Sequence, residues 1–144
     1  MLRTATAQWR GDGMTGTGTL TTQSGAFTAQ PYSFKTRFGD EEGKSGTNPE
    51  ELIAAAHSGC FTMALSFALA KAGFTAELLE TEALVDVKPS EAGFSIVGIT
   101  LKLKANIPGV SDEQFQELAA GAKTNCPISK ALASVPITLE ATLA

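Results

Sequence analysis

The sequence is short of charge and of cysteine, and each shortage excludes a class of protein. Charged residues make up 18% of the 144 residues, and the formal net charge is −4. Because there is no excess of positive charge to neutralise phosphates, nucleic acids and anionic membranes are not expected partners. Two cysteines are too few for a secreted disulfide scaffold. A small neutral or apolar ligand suits this composition better.

Long apolar runs are also scarce. The N-terminal segment MLRTATAQWRGDG contains no apolar stretch of the signal-peptide kind, which predicts a cytoplasmic protein. The stretch from Leu52 to Ala70 carries almost no charge, but it contains Ser58, Thr62 and Ser66 among many alanines. This composition favours a helix buried by protein over a membrane span. The chain length predicts one domain over residues 1–144.

A long helix is the clearest feature of the first half of the chain. Asn48 is a preferred N-cap residue, Pro49 suits the first turn, and Gly73 is a common C-terminal stop. A helix of about 24 residues is about 36 Å long, which is more than one small chain can cover on every side. A partner subunit would cover the rest. Before this helix, the sequence predicts strands at 2–9, 15–22 and 27–34 and a polar loop at 38–47.

The second half alternates in polarity at first and then shows two helix starts. Ser111 followed three residues later by Gln114 is a capping signature, and Cys126-Pro127 starts a second, shorter helix. The predicted elements are an antiparallel hairpin with strands at 84–88 and 93–107, a helix from Ser111 to about Asn125, a short helix after Pro127, and a strand at 137–143.

The two cysteines occupy different settings. Cys60 lies inside the long apolar helix, where a buried and inert thiol is the ordinary interpretation. Cys126 precedes Pro127 at a helix start, where unpaired N–H groups and the helix dipole lower the pKa of a thiol. The cysteines are 66 residues apart with no CxxC motif, which excludes a thioredoxin-type site. A pair brought together by folding remains, in which one thiolate attacks and the other resolves.

Other candidate residues leave several functions open at this point. His57 lies three residues before Cys60, a spacing that allows a Cys/His pair for acyl transfer, or a zinc site with Cys126 and a carboxylate. A lone histidine on a helix is more often structural than catalytic. A further alternative is a module that binds an apolar ligand, in which both thiols would be inert. Arg37 lies between two phenylalanines and is either an ordinary surface residue or a guanidinium held among aromatic rings.

Two blocks of the sequence, QPYSFKTRFGDEEGKSGTNPEELIAAAHSGCFTMALSFALAKAGF and AKTNCPISKAL, resemble the signature blocks of the OsmC/Ohr peroxidases. The resemblance extends over the whole chain and fits the OsmC (osmotically induced protein C) branch better than the organic hydroperoxide resistance branch. It implies an α+β fold of the OsmC type, with antiparallel sheets packed around a long central helix and a second helix in an intertwined homodimer. It also implies reduction of organic hydroperoxides and hydrogen peroxide without a metal or other cofactor. An external dithiol would recycle the enzyme, and lipoylated proteins are one source of such a dithiol.

The resemblance further implies a role for each of four residues. Cys60 in SGCF is the peroxidatic cysteine and Cys126 in NCP the resolving one, whereas His57 is not among the family's catalytic residues. Arg37 in TRFGD is the activating cation and Glu50 in NPEE its carboxylate partner. Burial raises the pKa of a thiol, and a permanently charged guanidinium held by paired hydrogen bonds can offset that effect. Five apolar side chains are candidates either for a peroxide pocket or for the core: Phe34, Phe38, Phe61, Met63 and Phe67.

The spacing of Glu50 and Cys60 sets a geometric condition on such a site. Ten residues of one straight helix separate them by about 15 Å in height and about 80° in direction. If the helix is unbroken, Glu50 must reach the site from the helix of a partner subunit, with the two helices crossing near Ala55 about a two-fold axis. A bend at Ser58-Gly59 would instead keep the site within one chain.

Overall fold

The structure is a computed structural model that describes residues 1–144. It confirms the expected α+β class, and its residues divide into two compact units, Met1–Leu52 and Ile53–Ala144. A single domain over the whole chain stays a prediction. The elements are β1 (Ala5–Arg10), β2 (Thr17–Thr22), β3 (Gln30–Ser33), α1 (Phe34–Phe38), α2 (Pro49–Lys71), β4 (Leu78–Ser90), β5 (Gly93–Asn106), α3 (Asp112–Asn125), α4 (Pro127–Ala131) and β6 (Ile137–Leu143).

An antiparallel sheet in the order β1-β2-β3 forms much of the first unit. Gly18 on the middle strand lies opposite both Trp9 and Tyr32, whose ring centroids are 5.4 Å apart. A Cβ at Gly18 would come within 2.5 Å of the Tyr32 ring. The two aromatic rings can therefore meet across β2 only because residue 18 has no side chain.

A short helix that the sequence did not predict follows this sheet. The strand expected at 27–34 ends at Ser33, because the chain turns there into α1. The Ser33 hydroxyl accepts a hydrogen bond from the Thr36 N–H at 3.2 Å, and the Thr36 hydroxyl accepts one from the Ser33 N–H at 2.9 Å. This reciprocal cap starts the helix on which Arg37 lies.

The second unit contains a sheet in the order β4-β5-β6. The predicted antiparallel hairpin of β4 and β5 is confirmed, although β4 begins at Leu78 rather than at Leu84. β6 pairs with β5 in parallel, with Ile99 opposite Ile137. The expected antiparallel pairing therefore holds for every strand pair except this one.

The two longer helices begin and end close to the predicted residues. Asn48 Oδ1 accepts a hydrogen bond from the Glu51 N–H at 2.8 Å, which caps the start of α2. Gly73 follows α2 with a φ of 87°, a conformation that favours glycine. At α3, Ser111 and Gln114 form the predicted capping box.

One stripe of α2 lies in the core of the second unit. His57, Phe61, Leu65 and Leu69 follow one another at a spacing of four residues, and all four are buried. They pack among side chains of β5 and α3, including Ile99, Leu101, Leu103, Phe115 and Ala119. This stripe fixes which face of α2 is turned inward.

Another face of α2 stays uncovered in a single chain. Met63 and Phe67 are 63% and 71% exposed. By length and composition α2 is the one helix that could cross a membrane, but the core helix of a soluble protein meets the same criteria. The sequence predicted that α2 is buried on all sides, and one chain alone does not provide that burial. An apolar face of α2 remains, which the predicted partner subunit would cover.

Candidate active site

The two thiols lie in contact inside the second unit. Cys60 belongs to α2 and Cys126 is the N-cap residue of α4, and their sulfur atoms are 2.8 Å apart. Both cysteines are free; Cys60 is partly exposed, whereas Cys126 is 0% exposed. The fold therefore joins two residues that are 66 positions apart in the sequence. A solute arriving from solvent therefore meets Cys60 before Cys126.

The surroundings shift the two thiols in opposite directions. Burial raises the pKa of Cys60, and the contact with Cys126 raises it further. Burial also acts to raise the pKa of Cys126, but the contact with Cys60 and the polar hydrogens of Ser129 and Ile128 outweigh it, so the net pKa of Cys126 is lowered. The Cys126 side chain nevertheless accepts no N-cap hydrogen bond from the backbone of α4. Cys60 is therefore the more accessible thiol but the weaker acid.

Arg37 and Glu50 form a close ion pair in the first unit. Arg37 Nη2 donates a hydrogen bond to Glu50 Oε1 at 2.6 Å, and Arg37 Nε lies 3.1 Å from both carboxylate oxygens. The Arg37 side chain is 39% exposed and that of Glu50 12%. Glu50 lies in the first turn of α2, where the helix dipole favours a negative charge. Glu50 therefore accepts paired hydrogen bonds from the guanidinium, which is the contact that the sequence analysis expected.

Local contacts keep this ion pair in place. The Thr36 hydroxyl on α1 donates a hydrogen bond to the Thr47 carbonyl at 3.1 Å, and the Thr47 hydroxyl donates one to Glu51 Oε2 at 2.7 Å. These two bonds tie α1 to the start of α2. The Arg37 guanidinium carbon also lies 4.7 Å from the centroid of the Phe38 ring.

A small aromatic cavity lies beside the guanidinium. Its volume is about 90 Å³, and its walls come from the first sheet and from α1. Of the five side chains proposed for a pocket or for the core, Phe34 and Phe38 line this cavity and Phe61 is a core residue, while Met63 and Phe67 are exposed. The cavity is lined by Trp9, Gly13, Tyr32, Ser33, Phe34, Arg37 and Phe38.

His57 takes part in a buried contact that the sequence did not indicate. Its Nε2 atom lies 2.8 Å from Ser129 Oγ, and no hydrogen bond joins the ring to Cys60. Burial lowers the pKa of His57, which favours the neutral ring. The Cys/His pair that acyl transfer would need is therefore not formed. No group of three or more His, Cys, Asp or Glu side chains is arranged to hold a metal ion.

The four predicted site residues thus lie in two pairs. Cys60 and Cys126 are together in the second unit, and Arg37 and Glu50 are together in the first. The roles assigned to them stay predictions. Ser129 is the residue that sequence reasoning missed; the available signal was its position three residues after Cys126, in the first turn of a helix that opens with proline.

Comparison with known proteins relates this arrangement to one family. Residues 39–140 match the family model described as OsmC-like protein. Peroxiredoxin OsmC of Escherichia coli (strain K12) is 47% identical over 134 residues, which cover 93% of this chain and 91% of that protein. Organic hydroperoxide resistance protein OhrB of Bacillus subtilis (strain 168) is 36% identical over 92 residues, or 63% of this chain and 65% of that protein.

A solved structure supports the same relationship. The crystal structure of OhrB of Bacillus subtilis superposes on this chain with a TM-score of 0.70 and 30% sequence identity. The superposition covers 96% of this chain and 98% of that one. The similarity in fold therefore extends over both compact units.

Proposed function

The chain belongs to the OsmC family, and we propose that it is a thiol-dependent peroxidase that reduces organic hydroperoxides, and hydrogen peroxide, through Cys60 and Cys126. One observation carries the proposal. A partly exposed thiol lies 2.8 Å from a fully buried one, so the first can meet substrate while the second waits beside it. Inert thiols would not require this contact.

The proposed cycle begins at Cys60. Its thiolate sulfur attacks one peroxide oxygen, the O–O bond breaks, and the other oxygen leaves as an alcohol, or as water from hydrogen peroxide, after taking a proton. Cys60 becomes a sulfenic acid. The sulfur of Cys126 then attacks the sulfur of Cys60, so that an S–S bond forms, the S–O bond breaks and water leaves. An external dithiol reduces the disulfide and is itself oxidised to a disulfide.

Arg37 is proposed to make the first step possible. Because burial raises the pKa of Cys60, the thiolate needs a nearby positive charge. Arg37 stays protonated in any surroundings, and Glu50 holds its planar group in a fixed orientation. The same guanidinium would polarise the peroxide as the O–O bond breaks.

We further propose that Arg37 and Glu50 of one subunit serve Cys60 of the other. α2 is a single helix from Pro49 to Lys71, and ten residues along a straight helix correspond to about 15 Å. Such a spacing suits a site completed by an antiparallel partner in a homodimer. The cytoplasm is the proposed location, and a lipoylated protein is the proposed source of the dithiol.

Two cysteine variants test the proposed function. Cys60→Ser should lose peroxide reduction, because no other exposed thiol is present. Cys126→Ser should consume about one equivalent of cumene hydroperoxide per chain and then stall or become over-oxidised. Thiol titration before and after the peroxide gives the stoichiometry, and dithiothreitol should restore two thiols in the wild-type chain only. Continued turnover by Cys60→Ser with dithiothreitol would contradict the assignment.

The same titration separates the two alternative functions. An acyl-transfer hydrolase would keep its thiols after peroxide treatment and would cleave a thioester or ester, and a module that binds an apolar ligand would show neither reaction. Rapid loss of two thiols per chain, reversed by a dithiol, is expected for the peroxidase alone.

A further inference from the structure

His57 and Ser129 are a buried polar pair beside the thiols to which the proposed mechanism gives no task. His57 is 0% exposed, and Ser129 is also buried. Their side chains lie 2.8 Å apart, although the residues are 72 positions apart in the sequence. The other ring nitrogen of His57, Nδ1, is buried without a hydrogen-bond partner. A buried unpaired nitrogen is unfavourable for stability, so an apolar residue would serve the core better than this histidine.

The position of this pair relative to the thiols is informative. His57 lies one turn before Cys60 on α2, and Ser129 lies one turn after Cys126 on α4. Two contacts of 2.8 Å therefore join the same two helices, one between sulfur atoms and one between the imidazole and the hydroxyl. The second contact is a fixed support for the first.

Backbone hydrogen bonds hold Cys126 at the junction of α3 and α4, from its N–H to the Ala122 carbonyl at 2.9 Å and from the Lys130 N–H to its carbonyl at 3.1 Å, and Ile128 packs against the core, but α4 itself is short. It contains five residues, it begins at Pro127, and the Cys126 side chain makes no cap hydrogen bond. A helix this short is not stable by itself and depends on tertiary contacts. The Ser129 hydroxyl also faces the Cys126 sulfur and helps to lower the pKa of that thiol. Fixing the hydroxyl with His57 therefore influences both the location and the ionisation of Cys126.

We propose that His57 and Ser129 are positioning residues for the resolving step, which hold Cys126 beside Cys60 and stabilise the Cys126 thiolate as it attacks. This inference rests on the proposed function. In the step itself, the Cys126 sulfur forms the S–S bond, the S–O bond of the Cys60 sulfenic acid breaks, and the proton lost by Cys126 ends on the departing oxygen as water. His57 stays neutral throughout and exchanges no electrons with either sulfur.

The experiment separates resolution from peroxide attack in a single reaction. Each variant, fully reduced, is mixed with one equivalent of cumene hydroperoxide, and loss of peroxide is followed beside disulfide formation by quenched-flow mass spectrometry. His57→Leu and Ser129→Ala should leave peroxide loss within about twofold of wild type and slow disulfide formation about tenfold, which corresponds to the loss of one hydrogen bond. Sulfenic acid, trapped with dimedone, should accumulate in both variants.

Three further variants show whether the hydrogen bond is responsible. In His57→Gln an amide can occupy the place of the imidazole Nε2, so the rate of disulfide formation should return towards the wild-type value. The double variant His57→Leu, Ser129→Ala replaces both polar partners with apolar ones, so it should fold as the wild-type chain does and should be no slower than either single variant. Thr124→Ala removes an exposed hydroxyl two residues from Cys126 and should change neither step.

The possible results decide between distinct conclusions. If the wild-type chain forms no disulfide, the proposed function itself fails. If the wild-type chain forms it, and His57→Leu and Ser129→Ala form it equally fast, the positioning role is overturned. A His57→Gln variant that is as slow as His57→Leu would also overturn it, since the hydrogen bond would then not explain the effect. Equal slowing of both steps in His57→Leu would indicate general disruption of the site and reject the proposal.

Discussion

At the scale of single residues, the Arg37 side chain is more exposed than the Glu50 side chain with which it forms an ion pair. Glu50 is largely covered and accepts all three short contacts of the ion pair, whereas the guanidinium keeps an exposed side. The carboxylate therefore orients Arg37 without enclosing it. A guanidinium held in this way can approach a second anionic group at little further entropic cost, because its rotamer is already fixed.

Replacing Arg37 should show whether it ionises Cys60. Arg37→Ala should raise the pKa of Cys60 relative to the wild-type enzyme and move the pH profile of its alkylation to higher pH, because the thiolate form loses its cation. At pH 7 the rate of peroxide consumption should fall about tenfold for each unit of the pKa shift. Iodoacetamide alkylation in a Cys126→Ser background measures the profile without interference from the second thiol.

Arg37→Lys is the matched control for this prediction. It retains the charge but cannot form the planar, paired hydrogen bonds to Glu50, so only partial recovery is expected. An alkylation profile that is the same in Arg37→Ala and in the wild-type chain would remove Arg37 from the mechanism.

The residues of the site could be predicted to different degrees. The helix-start position of Cys126 predicted its lowered pKa, and the apolar context of Cys60 predicted its raised one. The direction at Cys60 follows from its apolar surroundings, which the sequence contains, whereas the largest lowering effect at Cys126 is its contact with Cys60, which the sequence does not place. The contact of His57 with Ser129 depends on two helices meeting across 72 residues, and no local pattern carries that information.

At the scale of elements, the end of α2 is defined by a single glycine. The Phe74 N–H donates a hydrogen bond to the Leu69 carbonyl at 2.9 Å, and the Gly73 N–H donates one to the Ala70 carbonyl at 3.1 Å. This is the Schellman arrangement, which requires a left-handed residue at position 73. The stop that the sequence predicted at Gly73 is therefore explained by backbone conformation.

A pair of glycine substitutions tests this explanation. Gly73→Ala should lower the free energy of unfolding by about 1 kcal/mol, because alanine is strained at a positive φ. Gly121→Ala lies inside α3, where a Cβ would meet no atom within 4 Å, and should raise the free energy of unfolding by about 0.5–1 kcal/mol. Urea denaturation of both variants gives the two values. A stabilising effect of Gly73→Ala would contradict the left-handed assignment.

The elements that the sequence missed or described incompletely have separate physical causes. α1 has five residues, too few for a helical repeat of apolar side chains to appear, and only its cap marks it. The early part of β4 alternates with Glu80 and Glu82, so its apolar signal is weak. The parallel direction of β6 depends on where the chain returns after α3 and α4, which strand polarity alone does not encode.

At the scale of the whole molecule, apolar side chains remain on the surface of one chain. Met63 and Phe67 on α2, Leu84 on β4 and Val97 on β5 are all exposed. Met63 and Phe67 lie one turn apart on the same face of α2, and an exposed apolar face of this kind is typical of an interface. They agree with the low charge content of the sequence, and they support the proposed homodimer.

Mixing variant chains tests whether the dimer contains shared sites. Glu50→Ala chains and Cys60→Ser chains, unfolded together and refolded, should form heterodimers. If sites are shared, one site combines the intact Cys60 of the first chain with the intact Arg37 and Glu50 of the second, so each heterodimer should regain about half the activity of the wild-type dimer. Different affinity tags on the two chains allow the heterodimer to be purified and assayed.

The reciprocal mixture is the control, because it reverses the expectation. A chain carrying both Glu50→Ala and Cys60→Ser, paired with a wild-type chain, has no intact shared site and should show about half the activity of the Glu50→Ala homodimer, which has two such weakened sites. If each site instead lay within one chain, for example through a bend at Ser58-Gly59, the wild-type chain would keep its own site and this second heterodimer would be the active one. Activity in the second mixture and not in the first would reject the shared site, whereas the opposite result assigns Arg37 and Glu50 to the cysteine pair of the partner.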